Sequence, residues 1–101
     1  MVSKLFTGTL VCFDISNNRN RTKLCEDLKD LGLERIQESV FYGLLSRPEV
    51  KQIKNLLKMY CDIKESTDRA FFLQGVDPLS LEKSSVGYSK DDFNPPEVSI
   101  L

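Results

Sequence analysis

Two segments of helical periodicity, each apolar on one side only, lie between segments of strand character, and this order restricts the folds open to the chain. Apolar strands are predicted at residues 9–15 and 68–74, and a longer β region at residues 33–45 separates the two helices. The order strand, helix, strand, strand, helix, strand predicts an α+β fold of the ferredoxin-like βαββαβ type. Since each helix has one apolar stripe to bury, both helices are expected to cover the same face of a four-stranded antiparallel sheet.

The ends of the two helices carry recognisable start and stop signals. The first helix is predicted from about Arg19 to Leu31, and Gly32 follows at the position where helices favour a left-handed residue. The second begins at residues 46–49, where Ser-Arg-Pro-Glu forms a capping box with proline in the first turn. The residues that share the apolar stripes are Leu24, Leu28 and Leu31 in the first helix and Val50, Ile53, Leu56, Leu57 and Tyr60 in the second.

The β region at residues 33–45 has apolar residues on both parities, so neither face of it is cleanly polar. We expect two short strands that are joined by a tight bend or bulge near residues 38–40. A sheet that is apolar on both faces, with helices on only one of them, needs a second cover. The obvious candidate for this cover is a second copy of the chain, and we therefore predict a two-fold homodimer.

Turn and breaker residues dominate after Gly75, so we divide the chain into a ferredoxin-like domain at residues 1–75 and a C-terminal extension at residues 76–101. Within the extension, residues 86–88 are expected to form a short strand that is added to the partner's sheet across the homodimer. The apolar end at residues 98–101, which follows Pro95 and Pro96, is expected to be a flexible tail that binds a partner protein.

The composition of the 101-residue chain excludes several classes of chemistry. It contains no histidine, which removes Ser-His and Cys-His nucleophile pairs and the usual zinc ligand sets. Its net charge is -1, so nucleic acid would have to bind to a local basic patch. Three cysteines without CxxC spacing, no signal peptide and no apolar segment of membrane-spanning length predict a cytoplasmic protein with reduced thiols and no membrane partner.

Asp14 closes the apolar run at residues 10–15, and a polar loop with Arg19 and Arg21 follows directly. A carboxylate beside a buried strand is costly unless a cation or hydrogen-bond donors meet it. Arginine holds phosphate in a bidentate grip, so the pattern favours a metal-and-phosphate site. Two plainer interpretations stay open: Asp14 caps the following loop, and the arginines are a solvated first helical turn.

The Phe-Asp-Ile end of the first strand, together with the stretch Gly-Leu-Glu-Arg-Ile-Gln-Glu-Ser-Val-Phe-Tyr-Gly at residues 32–43, resembles the small CRISPR-associated endonuclease family. This family is the smaller of the two core spacer-acquisition proteins, and the resemblance covers roughly residues 10–73. It implies a ferredoxin-like homodimer in which the first-strand Asp of each protomer faces the two-fold axis and the pair holds one divalent metal, Mg²⁺. It also implies a partner protein, the larger CRISPR integrase subunit. The small protein would bridge two dimers of this subunit.

The resemblance assigns roles to individual residues of this chain. Asp14 matches the metal-ligand Asp, and Arg21 falls at the basic loop position. Arg35 matches the Arg before Ile-Gln, and Phe41 is the Phe that closes the Ser-Val-Phe motif. These four are the expected catalytic residues, and the residues expected to bind nucleic acid are Arg19, Arg21, Lys23 and Arg35.

The chain departs from the family at two positions: Phe13 stands where many members have Tyr, and Lys23 stands where they have a second Arg. Two functions follow from the resemblance. The first is a CRISPR spacer-acquisition protein that acts as an Mg²⁺-dependent endonuclease of RNA or DNA, with metal-bound water as the nucleophile at the dimer axis. The second is a non-catalytic homodimeric DNA-binding adaptor that bridges integrase subunits. An RRM-type RNA binder is disfavoured because residues 40–44 lack the basic-Gly-aromatic spacing.

Overall fold

The computed structural model describes residues 5–93, which form a four-stranded antiparallel sheet with two long helices on one face. The strand order is β2-β3-β1-β4, so the predicted ferredoxin-like architecture is confirmed. The elements are β1 (Phe6–Asp14), α1 (Asn18–Asp30), β2 (Glu34–Gln37), β3 (Val40–Ser46), α2 (Arg47–Tyr60), β4 (Arg69–Leu73), α3 (Pro78–Lys83) and a 3₁₀ helix (Lys90–Phe93).

Alternation along β1, which pairs with β3 on one side and β4 on the other, decides which residues meet the helices. Val11, Phe13 and Ile15 point to the helix face and are buried, whereas Leu10, Cys12 and Asp14 belong to the second face. The residues of the single core cluster are Val11, Phe13, Ile15, Leu24, Cys25, Leu28, Leu33, Phe41, Leu45, Val50, Ile53 and Leu57. The predicted helical stripes are therefore the residues that close the core.

Both long helices begin as the sequence indicates. The Asn17 side chain caps α1 by accepting from the backbone N–H of Asn20 at 2.9 Å. At the start of α2, the Glu49 carboxylate accepts from the backbone N–H of Ser46 at 2.8 Å and from its hydroxyl at 3.0 Å. Gly32, which follows α1, has φ = 105°, a conformation that glycine adopts without strain.

The bend predicted near residues 38–40 is present. Strands β2 and β3 are separated by a two-residue turn, and their register shifts between Arg35 and Gln37. A shift of this kind leaves one residue of the bulged strand unpaired and bends the strand. Residues of both parities in β3 are apolar because both faces are buried there: Phe41 faces the helices, and Tyr42 is buried on the second face.

The second face of the sheet is half covered by the chain's own C-terminal extension. The backbone N–H of Val76 donates to the carbonyl of Gly8 at 2.9 Å, and the buried Tyr42 hydroxyl donates to the carbonyl of Val76 at 2.6 Å. The ring of Phe93, 2% exposed, packs edge-on against Tyr42 and lies 5.1 Å from the ring of Tyr88. The extension is thus seated over β1 and β3.

The sequence does not predict helix α3, because turn and breaker residues dominate after Gly75. In the structure the Asp77 carboxylate accepts from the backbone N–H of Ser80 at 3.2 Å, and Pro78 occupies the first helical position. Residues 86–88 are in no strand of this chain, and Val86 is 95% exposed. Their addition to a partner's sheet stays a prediction, and the predicted flexible tail at residues 98–101 lies outside the described residues.

The other half of the second face is open. Phe71 and Leu73 of β4 are 57% and 51% exposed, and β4 is an edge strand. The three cysteines are free thiols. Between residues 5 and 93, no helix has the length and apolar character needed to cross a membrane.

Candidate active site

Asp14 is the last residue of β1, and its side chain is exposed on the second face of the sheet. In the antiparallel ladder it lies directly opposite Arg69, the first residue of β4. Directly paired residues have Cβ atoms about 5 Å apart, so a carboxylate and a guanidinium share this corner of the sheet. The Asp14 carboxylate is therefore accessible, and its cross-strand neighbour carries a positive charge.

The loop after Asp14 is held from one side by Arg21. One guanidinium nitrogen of Arg21 donates to the carbonyl of Ile15 at 2.7 Å, and the other donates to the side-chain oxygen of Asn18. Arg21 is half-buried in this position. The predicted basic loop residue thus binds the chain directly after Asp14 and stabilises the conformation of that loop.

Asp68 holds the same loop from the other side. One carboxylate oxygen of this buried residue accepts from the backbone N–H of Ser16 at 2.9 Å and from the Ser16 hydroxyl at 3.0 Å. The other oxygen accepts from the backbone N–H of Asp62 at 3.0 Å. Hydrogen bonds from the backbone N–H groups of Asp62 and Ser16 lower the pKa of Asp68 to about 2. Asp68 is therefore a charged clamp that joins the Asp14 loop to the start of β4.

Arg19 and Lys23 are exposed on the first two turns of α1, which has no acidic residue in its first turn. Cations at a helix N-terminus oppose the helix dipole, which favours anions there. Together with the N–H groups that the Asn17 cap leaves free, Arg19 and Lys23 make the end of the helix next to the Asp14 loop positive.

Arg35 and Phe41 lie on the opposite face of the sheet from Asp14. Phe41 is completely buried, and its ring stacks with that of Phe13 at a centroid distance of 6.0 Å. The Arg35 guanidinium lies 5.6 Å from the centre of the Phe41 ring and donates to the sulfur of Cys25 at 3.0 Å. The structure does not bring these two residues to Asp14, and their catalytic roles stay predictions.

Phe13, which stands where many family members have Tyr, belongs to the core rather than to the candidate site. Its ring is 6% exposed and points to the helices, while Asp14 points the other way. A tyrosine hydroxyl at this position would therefore extend on the helix side of the sheet. The absence of that hydroxyl leaves the Asp14 side unchanged.

The carboxylates around Asp14 determine which metal ion the site could hold. Over residues 5–93 there is no group of three Asp, Glu or Cys side chains that could hold an ion. Mg²⁺ needs only one or two carboxylates when waters and substrate phosphate complete its shell. Asp14 offers one exposed carboxylate per chain, whereas both oxygens of Asp68 already accept hydrogen bonds. A single exposed carboxylate is compatible with the small number of protein ligands that Mg²⁺ needs, and Mg²⁺ binding at Asp14 stays a prediction.

Sequence reasoning missed Asp68 and Arg69. The order of the strands could have pointed to these two residues. The ferredoxin-like topology places the start of the last strand, where Asp68 and Arg69 lie, beside the end of the first strand. The exact pairing of Asp14 with Arg69 depends on the register, which the sequence does not fix.

Comparison with known proteins identifies the family of the fold. Residues 8–76 match the family described as CRISPR associated protein Cas2. A CRISPR-associated endoribonuclease Cas2 of Francisella tularensis subsp. novicida is 40% identical over 80 residues, 79% of this chain and 75% of that protein. Another of Korarchaeum cryptofilum is 43% identical over 49 residues, 48% of this chain and 53% of that protein. The chain thus spans about half the length of the Korarchaeum relative.

Proposed function

Because the chain belongs to the CRISPR associated protein Cas2 family, we propose that it is a metal-dependent endonuclease of RNA or DNA that works as a homodimer in spacer acquisition. One observation carries the proposal: the exposed carboxylate of Asp14 lies next to Arg69, at the corner of an open sheet face. The names of the Francisella and Korarchaeum relatives, both called endoribonucleases, support the reaction class.

The homodimer is proposed from the uncovered half of the second face. Phe71 and Leu73 are more than half exposed there, and Leu10 and Cys12 of β1 lie beside them on the same face. A two-fold contact through this surface buries apolar area on both copies. It also brings two Asp14 carboxylates toward one axis, where their mutual repulsion favours a cation between them.

Each residue of the corner has a distinct task in the proposed reaction. Asp14 from each protomer would hold Mg²⁺, which when bound lowers the pKa of water and neutralises phosphate charge. Arg69 would bind a non-bridging oxygen of the scissile phosphate, because a guanidinium suits this geometry. Arg21 and Asp68 keep the loop after Asp14 in one conformation. Arg19, Lys23 and Arg35 would contact the backbone of the nucleic acid further away.

The test is cleavage of single-stranded RNA and of DNA by purified protein with Mg²⁺, compared with the Asp14→Ala variant. We expect the variant to lose at least 100-fold in rate, equivalent to about 2.7 kcal/mol of transition-state stabilisation. Asp30→Ala, which removes an exposed carboxylate from the end of α1, is the matched control and should cleave normally. Equal activity of Asp14→Ala and the unsubstituted protein would end the catalytic proposal while leaving the fold unaffected.

The second candidate is a non-catalytic adaptor that holds DNA and bridges CRISPR integrase subunits. It is favoured by one observation: within the described part of the chain, no cluster of three ligands surrounds Asp14. Pull-down of the integrase subunit with the unsubstituted protein and with Asp14→Ala separates the two functions. An adaptor would bind the subunit equally well in both forms and cleave nothing.

A further inference from the structure

Helix α2 carries four cations in one row. Arg47, Lys51, Lys54 and Lys58 are spaced by four, three and four residues, and all four are exposed. Residues at these spacings lie above one another on a helix surface. At about 1.5 Å per residue, the row is about 16 Å long. We call these four residues the α2 row.

The α2 row concentrates positive charge on a chain that is otherwise acidic. Helix α2 contains four of the fourteen Lys and Arg residues but one of the fifteen Asp and Glu residues. The rest of the chain therefore has ten basic residues against fourteen acidic ones. The one acidic residue of the helix, Glu49, has its carboxylate engaged with Ser46 in the capping box. The charge of the row is thus not balanced along its own helix.

The row is held in a fixed position by the rest of the fold. Val50, Ile53 and Leu57 bury the adjacent side of α2 in the core. At the end of the helix, the Tyr60 hydroxyl donates to the Asp27 carboxylate of α1 at 2.7 Å. Because the helix is anchored along its length and at its end, the backbone positions of the four residues are fixed in a straight row, from which their flexible side chains extend.

The row leads to the Asp14 corner. Lys54 and Lys58 line a groove of about 820 Å³ between α2 and β4, and Lys64 and Arg69 continue its wall. Arg69 is the cross-strand neighbour of Asp14. A polyanion that lies along the row therefore reaches the candidate active site at the end of the helix.

We infer that the α2 row is a binding surface for the phosphate backbone of duplex nucleic acid. One strand of a duplex carries a phosphate every 3.4 Å along its axis, so the row faces about five phosphates. Gln52 and Asn55, both exposed on the same helix, are further donors of the kind that contact phosphates. This inference deepens the proposed function, since it takes nucleic acid as the ligand, but it concerns binding alone.

Two other ligands fit the row less well. Single-stranded nucleic acid is held by successive exposed aromatic platforms, whereas Tyr60 is bound to Asp27 and the groove at the end of the row offers one exposed ring, Phe71. An acidic protein needs apolar anchors at the centre of its contact, whereas the exposed apolar residues near the row, Ile63 and Phe71, line the groove at its Lys58 end. A line of cations with apolar neighbours at one end matches the backbone of a duplex.

The experiment measures the salt dependence of binding to a 25-base-pair DNA duplex by fluorescence anisotropy, with EDTA present. The test variant is Lys51→Gln with Lys58→Gln, and the control is Lys29→Gln with Lys83→Gln, which removes two exposed lysines from other helices. Each duplex contact contributes about 0.9 to the slope of log affinity against log salt. The salt slope of the test variant should therefore be smaller by about 1.8 than that of the unsubstituted protein. Its loss of affinity relative to the unsubstituted protein should shrink about twelve-fold as the salt rises from 50 to 200 mM.

Equal slopes in the test and control variants would overturn the inference. So would displacement of the duplex by poly-glutamate at equal charge concentration, because the row would then be a docking site for acidic proteins. Binding in EDTA does not depend on hydrolysis, so the result is independent of the Asp14→Ala assay.

Discussion

Replacement of Phe93 by alanine tests whether the C-terminal extension is seated on the second face of the sheet. The ring is 2% exposed and contacts Tyr42 and Tyr88. Truncating a buried Phe to Ala costs 3–5 kcal/mol in protein cores, through lost transfer free energy and the cavity left behind. We expect about 3 kcal/mol, the lower end of that range, because the extension can detach before the core unfolds.

This loss is large enough to measure in two ways. In a chain of this size, about 3 kcal/mol lowers Tm by roughly 12–24 °C. Urea unfolding, followed by circular dichroism at one fixed protein concentration, should show a lower midpoint. A fixed concentration is needed because dimerisation would itself shift the apparent stability.

The matched control is Val86→Ala in the same extension, since Val86 is 95% exposed. Its free energy of unfolding should stay within about 0.5 kcal/mol of the unsubstituted protein. If Phe93→Ala also stayed within about 1 kcal/mol, the ring would not be packed between the two tyrosines, and the folded-back extension would be wrong.

Two further predictions concern stability. Because the pKa of Asp68 is lowered to about 2 from its ordinary 3.8, the stability that its ionised form supplies is complete above 3.8 and is lost as pH falls through 2. As pH falls from 3.8 to 2, the urea midpoint of the unsubstituted protein should thus approach that of Asp68→Asn. A difference between the two midpoints that did not change with pH would contradict the role of the Asp68 carboxylate as a charged clamp. In Gly8→Ala, the new Cβ would lie 1.9 Å from the Val76 carbonyl oxygen and force the extension off β1. Combined with Phe93→Ala, it should add little further destabilisation in a double-mutant cycle, whereas full additivity would show that the two sites are independent.

The order and type of the main elements could be predicted because they depend on local patterns. The apolar stripe of Ile53 and Leu57 and the capping box at Ser46 act within one or two turns of helix. Periodicity of this kind reports which side of an element is buried. It does not report what covers that side, so Tyr42 was recognised as part of a strand while its contact with Phe93 was not.

The candidate site was less predictable because it depends on strand register. The sequence singles out Asp14, but its neighbour Arg69 is 55 positions away and is brought to it by pairing. The separation of Arg35 and Phe41 from Asp14 also follows from register, because β3 pairs with β1 so that Phe41 lies opposite Val11 on the helix face. A family motif lists residues along the chain, and the sheet then distributes them between its two faces.

The extension that crosses the second face has a consequence for how the chain folds. Its anchors are distant in sequence, since Gly75 bonds to Thr7 across 68 positions and Tyr88 to Ile36 across 52. Contacts that close such long loops form late, after the local helices and the hairpin of β2 and β3. During synthesis and refolding, Tyr42, Phe71 and Leu73 are therefore exposed together for a time, on a sheet with an open edge. Such a surface favours self-association of the incomplete chain, and we expect refolding yield to fall as protein concentration rises.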